Sequence, residues 1–226
     1  MKKLKRMGNI FLEPAAVFEE LKGEKDWVFP LVIIIIMALI SSLLVYSVVS
    51  SPEYIEQMEQ EMREEMTEED REGQEVDMSS MTYVYFISIV VTGVAGAVIT
   101  YLVLALLLWL PGKFGLKEYN YSRLFSASAY IGIVGGLGSI LQAVLVYMQR
   151  DVEVGVNLGL LFPGAGGITG TILEQISIFT VWAVILAAVA FSVFYDIRKW
   201  KTIPAFLLLW SLWTSGVYLV TSTFGG

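Results

Sequence analysis

PLVIIIIMALISSLLVYSVV, residues 30–49, runs for twenty positions without an ionisable side chain. At 1.5 Å of rise per residue, a helix of that length covers about 30 Å, the hydrocarbon thickness of a bilayer. The stretch is therefore read as a membrane span. A charged, amphipathic lead precedes it and no small-residue cleavage site of the A-x-A kind follows, so the span is expected to stay in the mature chain.

The rest of the chain agrees. Of 226 residues, 56% are hydrophobic and 16% charged, with a mean hydropathy of +0.66, whereas a soluble domain carries about 25% charged residues. There are no cysteines and no histidines. That removes disulfides, thiolate chemistry, zinc sites built on Cys or His, haem held by His or Cys, and histidine acid–base catalysis. Gly138-Ser139 has no histidine to take a proton, and Tyr195-Asp196 has no second aspartate within a span to share one. No catalytic constellation and no cofactor motif appears, and the chain is expected not to be an enzyme.

Four further spans are predicted: about Tyr83 to Trp109, ended by Pro111 and Gly112, and then within Leu124–Gln149, Gln175–Tyr195 and Thr202–Thr223. The fold class is thus all-α, a polytopic bundle of five transmembrane helices. Residues 1–26 form an amphipathic lead and 27–226 the membrane domain, with 51–80 an acidic helical insertion. The segment VGVNLGLLFPGAGGITG, residues 154–170, holds six glycines and a proline. Because each Gly costs about 1 kcal/mol relative to Ala in a helix, it is read as a loop, re-entrant only where protein shelters it.

Lys and Arg counts orient the bundle. The lead holds six, the second connection three (Lys113, Lys117, Arg123) and the fourth three (Arg198, Lys199, Lys201); the opposite side holds Arg63, Arg71 and Arg150. Twelve against three places the amino terminus in the cytoplasm and, with five spans, the carboxyl terminus outside a plasma membrane. In the lead, Pro14 suits a first helical turn, and Phe11, Val17, Phe18 and Leu21 oppose Glu13, Glu19, Glu20 and Lys22. This predicts a short helix lying on the membrane and ending near Gly23, with lysines for anionic headgroups. A plainer reading is a solvated tail that only sets orientation.

The net charge of −7 is lopsided, since twelve of the 22 acidic residues lie between Glu53 and Asp77. Ser51 and Pro52 start a helix there whose Ile55, Met58, Met62 and Met66 form one apolar stripe among carboxylates. Such a stripe needs a partner. Thioethers select copper(I), but methionine at helical spacing more often packs against protein, so no metal is assigned; nor is there a D-x-D-x-D-G loop for calcium.

Small residues in register mark helix contacts in lipid. Ser128, Gly132, Gly136 and Ser139 make such a face on the third span. Gly93, Gly96, Ala97 and Thr100 make one on the second, and Ala183, Ala187 and Ala190 on the fourth, so the third is expected at the centre. A candidate polar site in the membrane combines Gln142 with Glu174 and Gln175, with Ser139 and Ser177 near, because an intramembrane ionisable group is a functional candidate by default.

FLEPAAVFEELKGEKDWVFPLVIII, with Pro14, Phe18, Trp27 and Pro30, resembles the opening of prokaryotic Yip1-domain membrane proteins. RLFSASAYIGIVGGLGSI and FSVFYDIRKWKTIPAFLL resemble their third span and final hairpin. The resemblance implies a five-span bundle with a cytoplasmic amino terminus. Eukaryotic members are associated with vesicle traffic and Rab-type GTPases and carry D-L-Y-G-P and G-Y motifs. This chain has neither, so that role is not carried over. The expected function is a membrane scaffold or accessory subunit, the alternative a small transporter or channel. Expected partners are the lipid bilayer and a membrane protein or a second copy, not nucleic acid.

Overall fold

The computed structural model describes residues 2–65, 78–152, 154–162, 169–170, 173 and 176–224. The elements in order are α1 (Lys2–Leu12), α2 (Pro14–Gly23), α3 (Val28–Val49), α4 (Pro52–Glu65), α5 (Met78–Lys113), α6 (Tyr121–Gln149), a 3-10 turn (Leu158–Leu161), α7 (Ile178–Tyr195) and α8 (Lys199–Phe224). Four of them, α3, α5 over Phe86–Lys113, α6 and α7, are long and apolar enough to cross a membrane. The protein is a multi-pass membrane protein. α8 is helical for 26 residues but opens on Lys199 and Lys201 and carries Pro204 within it.

Local chemistry accounts for the helix ends. The Ser51 hydroxyl accepts the Tyr54 N–H at 3.4 Å and starts α4 with Pro52 in its first turn. Asn120 caps α6 by accepting the Ser122 N–H at 3.0 Å, and Ser177 caps α7 by accepting the Thr180 N–H at 3.0 Å, each satisfying a donor that the first turn leaves open. α6 and α7 end on Arg150 and Asp196 in the left-handed region, with φ of 57° and 55°. α5 passes through Pro111 to Lys113 rather than stopping at Pro111 and Gly112. The proline removes one donor from the ladder, but its carbonyl still accepts the Phe114 and Leu116 N–H groups at 3.1 and 3.3 Å, and Gly115 turns the chain at φ +102°.

α6 is the centre. It packs on α1, α2, α3, α5 and α7, while α7 also packs on α2 and α8. Its buried face includes Leu124, Ala127, Tyr130, Ile131 and Val134, in one core with Leu186, Ala190 and Phe194 of α7. A Cβ on Gly132 would lie 2.5 Å from Ile34 Cδ1 and 2.8 Å from the Tyr101 ring, and one on Gly136 3.0 Å from Met37 Sδ. Side chains at these positions would hold α3 and α5 off α6.

The lead departs from its expected placement. It is two helices, not one, broken at Glu13, although α2 does end at Gly23. Val17, Phe18 and Leu21 are at most 1% exposed and belong to the core shared with α6 and α7. The apolar side thus meets protein instead of lipid. The reason is geometric: α2 packs across both α6 and α7, whose Leu124, Ala127, Val193 and Phe194 share its core.

Candidate functional site

Two polar assemblies stand out, one at the end of the bundle covered by α1 and α2 and one inside it. At the first, Arg6 is 3% exposed and Asp26 6%. The Arg6 guanidinium donates to Glu20 at 2.7 Å, Glu24 at 2.5 Å and Asp26 at 3.1 Å. Asp26 also receives the Tyr130 hydroxyl at 2.8 Å and pairs with Lys3 at 3.1 Å, while its N–H donates to Ser126 Oγ at 2.9 Å. Lys2 pairs with Glu24. Three cations meet three carboxylates, so the node is electrically neutral. Burial alone would raise the Asp26 pKa, but Tyr130, Lys3 and Arg6 outweigh it and hold the carboxyl below its usual range. Lys2 and Arg6 bring Glu24 down to about 2. Burial would lower the Arg6 pKa, and its carboxylate partners raise it instead.

The node ties α1 and α2 to α6. Lys22 makes a second tie, reaching Glu19 at 3.0 Å and Asp196 at 3.2 Å beyond α7. The lead, the α5–α6 turn and the α7–α8 turn therefore share one end of the molecule. Twelve of the fifteen Lys and Arg residues belong to those segments. Among the described residues Lys5, Lys25, Lys117, Arg198, Lys199 and Lys201 make no ion pair there. Lys113 sits over Trp109 at 5.2 Å and Lys201 over Trp200 at 5.3 Å, an arrangement suited to the headgroup level.

The second assembly is a cavity of about 430 Å³ between α5, α6 and α7, bordered by Trp210 of α8. Among the described residues its polar lining comprises Thr100, Tyr101, Ser139, Gln142, Asn157, Ser177 and Thr180, with no Asp, Glu, Lys or Arg. The Tyr101 hydroxyl donates to Gly132 O at 3.4 Å, and the Ser177 and Thr180 hydroxyls share a bond of 2.8 Å. The glycine-rich segment starts beside it: the Leu158 N–H donates to Ile176 O at 2.9 Å, drawing the start of that segment to the residues just before α7.

The chain matches the family model described as the Yip1 domain over residues 8–221. It belongs to the Yip1 domain family. The resemblance carried by its opening, third span and final hairpin is borne out over nearly the whole Yip1 chain. None of the curated proteins and none of the solved structures matches it.

The residues singled out from this Yip1 sequence fall in several places. Gln142, Ser139 and Ser177 line one cavity, whereas Glu174 and Gln175 lie outside the described residues. Ser128 is fully buried, and its hydroxyl finds no partner among the described residues. A Cβ on Gly93 would lie 2.7 Å from Ser42 Oγ, and one on Gly96 meets no described atom within 4 Å. Ile55 and Met58 are half-buried on α4, Met62 falls within that helix, and Met66 lies outside the described residues. No group of three or more carboxylates poised for a metal occurs among the described residues. Sequence reasoning missed the Arg6–Asp26–Tyr130 node; its one signal is an aspartate just before a span, with Ser126 and Tyr130 at i, i+4 on a helix to receive it.

Proposed function

We propose that this Yip1 protein is a non-enzymatic scaffold or accessory subunit of the plasma membrane, spanning it five times with α8 as the fifth span. The basic end faces the cytoplasm and α4 faces outside. Support for the orientation comes from the clustering of cations at one end, the side on which lysine and arginine are retained. Support for the role comes chiefly from α4, an acidic helix that packs on α3 and carries Ile55 and Met58 only half-buried. An apolar stripe on so acidic a helix is completed by an apolar surface of another membrane protein or of a second copy. A photocrosslinking residue at Met58 should yield one discrete adduct in native membranes, and one at Glu56, which is exposed, should not. Equal, diffuse labelling from both positions would contradict the role.

A second reading, passage of a small solute near Glu174, is favoured by the cavity. It requires flux in proteoliposomes that Gln142→Ala or Glu174→Gln reduces; no change in either would remove it.

A further inference from the structure

Tyr195 of α7 donates to Leu108 O of α5 at 2.6 Å, which closes these two helices at the basic end. Further along, both still lean on α6, and the space between them is the cavity. Thr100 and Tyr101 stand halfway along the apolar stretch Phe86–Lys113, so the cavity reaches the depth of the hydrocarbon core. Its walls mix small residues, Gly135 and Gly138 on α6 and Ala183 and Ala187 on α7, with the rings of Tyr101, Phe179 and Trp210. Thr100, Ser139 and Gln142 are exposed at its mouth, which opens sideways, toward acyl chains.

Two carboxamides decide what the cavity suits. Neither Gln142 nor Asn157 makes a side-chain hydrogen bond with a described residue, and Asn157 does not use its side chain to cap the 3-10 turn that follows it. Each offers two N–H donors and one carbonyl acceptor. At membrane depth, unused polar groups are costly, and a molecule that brings hydroxyl or ester oxygens to them gains what water cannot supply. Among the described residues the lining has no cation to accompany a phosphate and no carboxylate to accompany an amine. A volume near 430 Å³ holds a head and the first part of its chains, within the usual range of about 300–1,000 Å³ for ligand sites. We propose that the cavity binds an uncharged lipid of the diacylglycerol type, its glycerol hydroxyl and ester oxygens on Gln142 and Asn157, its chains leaving between α5 and α7. This holds whether the protein is a scaffold or a transporter.

The test uses the full chain in phosphatidylcholine nanodiscs with a diazirine-bearing diacylglycerol. Label should map to α6 and α7 around Gln142 and Thr180, and unlabelled dioctanoylglycerol should compete. Gln142→Leu should weaken labelling about tenfold, the effect of one lost buried hydrogen bond. Ala183→Phe, which fills the cavity, should abolish it, and Leu212→Phe on the exposed face of α8 should leave it unchanged. Label spread evenly over all spans, label that dioctanoylglycerol does not displace, or undiminished label in Gln142→Leu would overturn the proposal. Equal competition by phosphatidylglycerol would overturn the selectivity for an uncharged head.

Discussion

Asp26 is the residue on which the amino-terminal helices depend. Its carboxylate serves Arg6, Lys3 and Tyr130 at once, and of these Arg6 and Tyr130 are buried away from water. Removing one partner from a buried ion pair costs about 3–5 kcal/mol, so Asp26→Ala should destabilise the protein in detergent by about 3 kcal/mol in thermal unfolding. Tyr130→Phe loses a single hydrogen bond and should cost about 1 kcal/mol. Equal effects would mean that the node contributes no more than one contact. The same carboxylates set an acid limit. Asp26 and Glu24 are both more acidic folded than unfolded, so their contribution is complete above the unfolded values of 3.8 and 4.5 and is lost as pH falls below them, for Glu24 toward about 2. Pepsin cleavage within residues 2–26 should rise as pH drops through that window, and Glu24→Gln should flatten the rise. None of this was legible beforehand, because the node draws on three segments that only the fold brings together; a lysine and an arginine near an amino terminus read equally well as lipid-binding charges.

At the scale of elements, the sequence was most informative where one physical signal acts alone. Twenty uncharged residues make a span, Ser51-Pro52 makes a helix start, and small residues on the third span mark the helix that five others touch. It was least informative where two environments compete for the same pattern. The Val17, Phe18 and Leu21 side of α2 suits a bilayer surface as well as a protein core, and packing across α6 and α7 decides for the core. The small-residue faces hide a similar ambiguity. Gly132 and Gly136 allow close helix approach, whereas Ser139, Ala183 and Ala187 line the cavity. Gly132→Leu should therefore be overpacked by about 1–3 kcal/mol, with lower yield and an earlier melting transition. Gly96→Leu, with no described atom in the way, should stay within about 0.5 kcal/mol of the parent. If the two variants melt alike, contact at Gly132 does not govern α3–α6 packing.

For the whole molecule, charge and hydropathy act together. The basic segments, far apart in the chain, gather at one end because the lead is locked onto α6 and α7 and because α5 and α7 both terminate there. The acidic helix leaves from the carboxyl end of α3, the end away from the lead. Counting lysines and arginines loop by loop anticipates that asymmetry without knowledge of packing. It does not reveal the cavity, whose lining comes from four helices and a turn.

The absence of cysteine allows a direct test of the central claim, a bundle crossing the bilayer with its basic end inside the cell. Single cysteines at Lys25, Glu56, Lys117 and Gly226 are reacted with a membrane-impermeant maleimide on intact cells and again after permeabilisation. Labelling of the Glu56→Cys and Gly226→Cys variants in intact cells, and of Lys25→Cys and Lys117→Cys only after permeabilisation, is the result expected. Labelling of Lys117→Cys from outside, or of Gly226→Cys only from the cytosol, would contradict the topology and the roles assigned to both faces.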